Sequence, residues 1–163
     1  MSVLVSKRQE SKFEAITYSI ELHNMLVELM QRNFGIKDLN RLVRARYACG
    51  MDETENFERY RYLIQNAKDR IDQIASLLTN NVRAANSIYP TSMHEYERRR
   101  DYQNNAIANC EQLIKELQRI VELFNVDVNI YSRYIKAIDR EIGLIKKWCQ
   151  RDNKIKLYLR GNV

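Results

Sequence analysis

The sequence predicts an all-α fold, an antiparallel up-down-up-down four-helix bundle, from three observations. Its 163 residues include one proline and four glycines, too little turn chemistry for a β-domain. Four long segments carry apolar residues at alternating spacings of three and four, the period of an amphipathic helix. The breaks between the last three segments, around Pro90 and around Asn125 to Asp127, are short, and short connections between long helices force antiparallel neighbours. A single domain over 1–163 follows, with 1–10 as a flexible N-terminus and 155–163 as a basic C-terminal tail.

Helix one is expected to start at the capping box Ser11-Lys-Phe-Glu14, where a hydroxyl and a carboxylate satisfy amides that the first turn leaves unpaired. Phe13, Ile16, Ile20, Val27 and Met30 form its first stripe, and Gly35 suits the left-handed residue that ends a helix. A second stripe, Ala15, Tyr18, Leu22, Met25 and Leu29, widens the apolar arc, which predicts burial against more than one neighbour. Between helices one and two, Asp38 to Cys49 has the pattern of a short extra helix closed by Gly50. Asp52-Glu-Thr-Glu55 is a second capping box, followed by Phe57, Tyr60, Ile64, Ala67, Ile71, Ile74, Leu78 and Ala85. That helix must end before Pro90, which cannot continue it.

Ser92-Met-His-Glu95 opens helix three, whose stripe is Tyr96, Ala106, Cys110, Leu113, Leu117, Ile120 and Phe124. Asn125 and Asp127 supply a stop and a new N-cap, and Tyr131, Tyr134, Ile138, Ile142, Ile145 and Trp148 define helix four. Trp148 shares the phase of the three isoleucines, so it is expected to be a buried anchor rather than a base-stacking platform. Ile107, Ile114 and Val121 form a heptad line beside the main stripe of helix three. Together with the double stripe of helix one they predict a homo-oligomer, because this apolar area exceeds what one four-helix core buries.

Composition narrows the function. The apolar run at the start, Val3 to Val5, is too short for a signal peptide, and no stretch approaches the ~18 apolar residues of a membrane span. Three cysteines, Cys49, Cys110 and Cys149, odd in number and far apart, suit reduced thiols in the cytoplasm. Only His23 and His94 are present, and neither has a glutamate three residues before it, so the di-iron carboxylate bundle lacks its ligands. Ribonuclease bundles in which four to six residues separate an arginine from a following histidine are excluded too, because Ile16, Thr17, Tyr18, Ser87, Ile88 and Tyr89 stand where the arginine is needed. His94 has the place of a first-turn helix residue rather than a general base. There is no glycine-rich phosphate loop, Cys-x-x-Cys pair or Gly-x-Ser-x-Gly elbow, and Asp139 and Glu141 point to different sides of a helix. The expectation is a non-enzyme with no metal and no cofactor.

The net charge of +6 is concentrated at the C-terminal end. From Tyr131 onward Arg133, Lys136, Arg140, Lys146, Lys147, Arg151, Lys154, Lys156 and Arg160 face only Asp139, Glu141 and Asp152, an excess equal to that of the whole chain. Arg133, Lys136, Arg140, Lys147 and Lys154 fall in one three-four repeat, away from Ile138, Ile142 and Ile145. A solvated face is the ordinary reading of such a run. Like charges stacked along one helix face repel unless an anion lies across them, and the phosphate backbone of RNA is the commonest such anion. Lesser clusters lie at Arg41, Arg44 and Arg46, at Arg59-Tyr-Arg61-Tyr62, and at Arg98-Arg-Arg100 between Tyr96 and Tyr102. Arginine beside tyrosine suits phosphate contact with base stacking, and equally a core tyrosine with an arginine reaching outward, the reading preferred for Tyr60 and Tyr96. The nucleic-acid contacts expected are Arg133, Lys136, Arg140, Lys146, Lys147, Arg151 and Lys154, with Arg98 and Arg100.

The segment Leu78-Thr-Asn-Asn-Val-Arg-Ala-Ala-Asn-Ser-Ile-Tyr-Pro90, the helix through Glu111-Gln-Leu-Ile-Lys-Glu-Leu117 and the tryptophan-ended basic stretch Ile138-Asp-Arg-Glu-Ile-Gly-Leu-Ile-Lys-Lys-Trp148 carry a resemblance. Over roughly the last two-thirds the chain resembles the four-helix-bundle accessory variability determinant proteins of diversity-generating retroelements. The resemblance implies a homopentamer with a basic surface that binds a reverse transcriptase and its template RNA, supporting mutagenic complementary-DNA synthesis without catalysing it. It carries over to Arg140, Lys146, Lys147, Arg151 and Lys154. The chain departs from the family in its extra sequence around Ile36 to Asn56 and in its arginine triplet. It is also similar to the four-helix-bundle interaction proteins encoded in ribosomal RNA intervening sequences, a purely structural alternative.

Overall fold

The computed structural model describes residues 3–36 and 53–161, with side chains described over 14–36 and 57–161. The described residues hold four long helices and no strand: α1 (Val3–Gln31), α2 (Glu53–Ser87), α3 (Met93–Phe124) and α4 (Ser132–Gly161). The principal packing pairs are α1 with α2, α2 with α3, α3 with α4, and α4 with α1, so each helix has two neighbours around a shared core. The extra helix expected at Asp38 to Cys49, and Asp52 of the second capping box, lie outside the described residues.

Two boundaries differ from expectation. α1 begins at Val3, so the tetrad Ser11 to Glu14 lies inside a helix rather than at its start. α4 runs on to Gly161, so residues 155–161 of the basic tail continue the helix. The physical reason is common to both. Extending an existing helix adds one hydrogen bond per residue without a new nucleus, and neither Val3 to Glu10 nor Ile155 to Arg160 contains a proline or glycine to stop it.

The core draws on both stripes of α1: Ala15, Leu22 and Leu29 of the second, Met30 of the first, and Leu26 from neither are buried, whereas Ile16, Tyr18, Met25 and Val27 are half-buried and Ile20 is exposed. Ser19 lies within the buried stripe and satisfies its hydroxyl on the Ile16 carbonyl at 2.7 Å. In α2 the core takes Tyr60, Ile64, Ala67, Ile71, Ala75, Leu78, Val82 and Ala85. The expected stripe of α3 is buried throughout, from Tyr96 to Phe124. α4 buries Tyr134, Ile138, Ile145 and Trp148, with Trp148 only 1% exposed, an anchor in the core.

Helix ends explain how the chain turns. α1 stops at Gln31, and a short 3-10 turn, Asn33–Gly35, follows with three successive left-handed residues. Asn33 (φ 47°) is the first left-handed residue after α1, whereas Gly35 (φ 80°), the expected stop, ends the 3-10 turn, where an added Cβ would meet Ile130 Cδ1 at 3.2 Å. Phe34 (φ 58°) is a bulky residue in a conformation costing of the order of 1–3 kcal/mol, and the surroundings hold it there. Its ring is fully buried, and its carbonyl accepts a hydrogen bond from the buried Tyr131 hydroxyl at 2.7 Å, tying the end of α1 to the start of α4. At the start of α3, Ser92 Oγ accepts the Glu95 amide at 3.3 Å, while Glu95 Oε2 accepts the amide and hydroxyl of Thr91 at 2.7 and 2.6 Å. These Thr91 bonds hold the Glu95 carboxyl below its ordinary range. Asn125 (φ 49°) ends α3, and Asp127 caps the 3-10 turn Val128–Tyr131 that leads into α4.

Candidate nucleic-acid interface

α4 places its charge opposite its core. Tyr134, Ile138, Glu141, Ile145, Trp148 and Asp152 recur at three-four spacing and face inward, which leaves the expected repeat of cations on the outer side. Arg133, Lys136, Arg140, Lys147 and Lys154 are all exposed, as is Lys146. The structure thus brings these six residues to the outside of one helix.

Within that face the arginines and lysines differ. Arg140 Nη2 lies 3.5 Å from Glu14 Oε1, and Arg133 Nη2 lies 3.8 Å from Glu28 Oε2. Each guanidinium also sits over a tyrosine ring, Arg140 over Tyr18 at 4.5 Å and Arg133 over Tyr134 at 4.7 Å. The anions beside these two cations are therefore carboxylates of α1, which relieves part of the repulsion along the stripe. Both ion pairs are exposed, and such pairs contribute about 0–1 kcal/mol, so a phosphate can displace the carboxylate at small cost. Lys136, Lys146, Lys147 and Lys154 form no ion pair among the described residues. Arg151 is half-buried and engaged in a contact of its own.

The arginine triplet does not act as a unit. Arg98 is exposed, Arg99 is fully buried and Arg100 is half-buried. Arg100 Nη2 lies within 2.8 Å of Tyr96 Oη, the Cys149 carbonyl and Asn153 Oδ1, and its guanidinium packs over the Tyr96 ring. Arg100 thus forms a clamp between α3 and α4, and Arg98 is the outward cation of the three. Tyr96 and Tyr60 are buried, in line with the core reading of both, whereas Tyr62 beside Arg61 is exposed. Arg41, Arg44 and Arg46 lie outside the described residues.

Sequence reasoning passed over a buried polar cluster that props up this end of α4. Arg99 Nη2 donates to Asp152 Oδ1 at 2.9 Å, and Nη1 donates to the Ile88 carbonyl at 3.1 Å. Asp152 Oδ2 sits 2.8 Å from Arg99 Nε without hydrogen-bond alignment and accepts instead from Gln103 Nε2 at 2.8 Å. Burial pulls the Arg99 guanidinium below its ordinary value and the Asp152 carboxylate opposes the shift. Burial also pushes the Cys149 thiol up, and Cys149 Sγ rests 3.3 Å from Gln103 Oε1. The signal for this cluster was available: Arg99 and Gln103 fill the gap between Tyr96 and Ala106 in the α3 stripe, and Glu141 and Asp152 continue that of α4.

Elsewhere, a shallow groove of about 330 Å³ between α1 and α2 is lined by Ile20, His23, Asn24, Ser76, Thr79, Asn80 and Arg83. At its edge His23 Nε2 lies 2.9 Å from Asp72 Oδ1. His94 is exposed in the first turn of α3. No group of three or more His, Cys, Asp or Glu side chains among the described residues is arranged to hold a metal ion. No described helix is long and apolar enough to cross a membrane. No known protein family, curated protein or solved structure matches the chain.

Proposed function

We propose that this chain is a non-catalytic, cytoplasmic RNA-binding protein whose contact surface is the outer face of α4. Lys136, Lys146, Lys147 and Lys154 carry the proposal: four exposed lysines on one helix, none in an ion pair among the described residues, on the side away from the core. Arg133 and Arg140 extend that face where an RNA phosphate replaces Glu28 or Glu14, and Arg151 and Arg98 border it. Together with the resemblance to accessory variability determinants, this points to a protein that holds a template RNA and a reverse transcriptase of a diversity-generating retroelement, as a homo-oligomer and by resemblance a pentamer. The frame is an antiparallel up-down-up-down bundle. Contacts that run in opposite directions along neighbouring helices support it: Glu14 with Arg140 and Glu28 with Arg133, Asn81 with Asn109 and Arg70 with Glu116, Arg99 with Asp152 and Gln103 with Cys149.

The test is the salt dependence of RNA binding. Each phosphate contact on a single strand contributes a slope of ~0.7 in log affinity against log salt. Replacing Arg140, Lys147 and Lys154 by glutamine keeps helix propensity, so the expected result is a slope flatter by about two units and equal weakening across RNA sequences. Unchanged affinity and slope would reject the basic face as the interface. The ion pairs of Arg133 and Arg140 with α1 favour a second reading, in which these cations fasten α4 to the bundle of a purely structural interaction protein like those encoded in ribosomal RNA intervening sequences. In that case replacing Arg133 and Arg140 by glutamine lowers stability by about 0–1 kcal/mol per pair, and there is no RNA binding to lose.

A further inference from the structure

Beneath the basic face lies a charge problem of the opposite sign. Glu141 occupies a core position of α4, is 0% exposed, and neither carboxylate oxygen has a hydrogen-bond partner among the described residues. A buried carboxylate without a partner is among the most unfavourable groups a core can hold, whereas the neutral acid is far better tolerated. We propose that Glu141 is a proton switch: with its proton the bundle closes over a neutral side chain, and without it α4 loosens from α1 and α3.

The surroundings supply little compensation. α4 packs chiefly on α1 and α3. From α1 comes the Glu14 carboxylate, a like charge. From α3 comes the buried thiol of Cys110, which burial and the neighbouring Glu141 keep protonated. The cation beside it on its own helix, Arg140, is turned outward to Glu14 and the Tyr18 ring. Burial pushes the Glu141 carboxyl up to about 8 from its ordinary 4.5, with Arg140 opposing the shift and Glu14 adding to it. Between those two values the unfolded chain has lost the proton that the folded chain keeps, so rising pH favours unfolding about tenfold per pH unit. Below 4.5 both states carry the proton and the penalty vanishes; above about 8 neither does, and the loss is complete.

Urea unfolding of the full chain from about pH 5 to about pH 9 tests this in the wild type, Glu141→Gln and Glu141→Met. Relative to either neutral variant, the wild-type folding constant should fall about tenfold per pH unit and level off near pH 8. Parallel pH profiles in the wild type and the variants would overturn the proposal. Should both variants misfold, a carbon-13 titration of the Glu141 carboxyl in the wild type decides alone: a midpoint near 8 supports the switch, and one at the ordinary carboxylate value refutes it. Amide exchange locates the effect. Protection lost first from α4 as pH rises supports the loosening of that helix, and equal loss from all four helices overturns it.

Discussion

Arg99 brings a full positive charge into the junction of α3 and α4, and the chain surrounds it on every side. Asp152 takes its charge, the Ile88 carbonyl takes a second donor, and the Trp148 ring lies 5.0 Å from the guanidinium. Taking two charges out of water is costly, so a pair like this one specifies an arrangement more than it adds stability. Removing one partner is the damaging change, because the other stays buried and uncompensated. Arg99→Met should therefore destabilise the protein by ~3–5 kcal/mol in urea unfolding, and adding Asp152→Leu should restore most of that loss. Equal losses in the single and double variants would mean that packing around Arg99, not its charge, holds the junction. Trp148 beside it fills the largest fully buried volume, so Trp148→Ala should cost ~3–5 kcal/mol as well, measured by the same method.

At the scale of elements, the start of α3 shows how local chemistry sets a boundary. Pro90 ends the preceding run, Ser92 receives the Glu95 amide, and Glu95 reaches back to Thr91. Ser92→Ala should lower stability by about 0.5–2 kcal/mol, the range for losing an N-cap side chain, and a melting curve matching the wild type would show that Thr91 and Glu95 suffice. The Glu95 carboxyl adds a pH dependence opposite to that of Glu141. Its folded value is held low by Thr91, so its contribution is present above the ordinary carboxylate range and is lost as pH falls through the depressed value. α4 shows the converse of a local rule: one helix carries cations on its outer side, while Glu141 and Asp152 sit inside, and only the second has a cation to answer it.

At the scale of the whole molecule, apolar surface remains uncovered. Leu157, Tyr158, Val128, Tyr62 and Tyr89 are all more than 60% exposed, and Ile107, Ile114 and Val121 of α3 are only partly buried. Light scattering at micromolar concentration should accordingly give a mass above the 19.5 kDa of one chain, and a strict monomer would reject both the oligomer and the pentamer that the resemblance implies.

What the sequence determined by itself is the set of long helices and most of their limits. Pro90, the Ser92 cap, Asn125 and Asp127 act on neighbouring residues through backbone geometry and short hydrogen bonds, so their effects are legible without knowing the rest of the chain. The apolar stripe of α3 and the outer cations of α4 follow from periodicity in the same way. Tertiary structure alone decided which residues of the wide apolar arc of α1 became core, because that depends on where α2 and α4 press against it. It separated Arg98, Arg99 and Arg100 into an exposed cation, a buried ion and a clamp. It also turned Arg133 and Arg140 toward Glu28 and Glu14, and left Glu141 with no hydrogen-bond partner among the described residues. Burial and charge pairing are properties of groups distant in sequence, and only the packed bundle brings those groups within reach of one another.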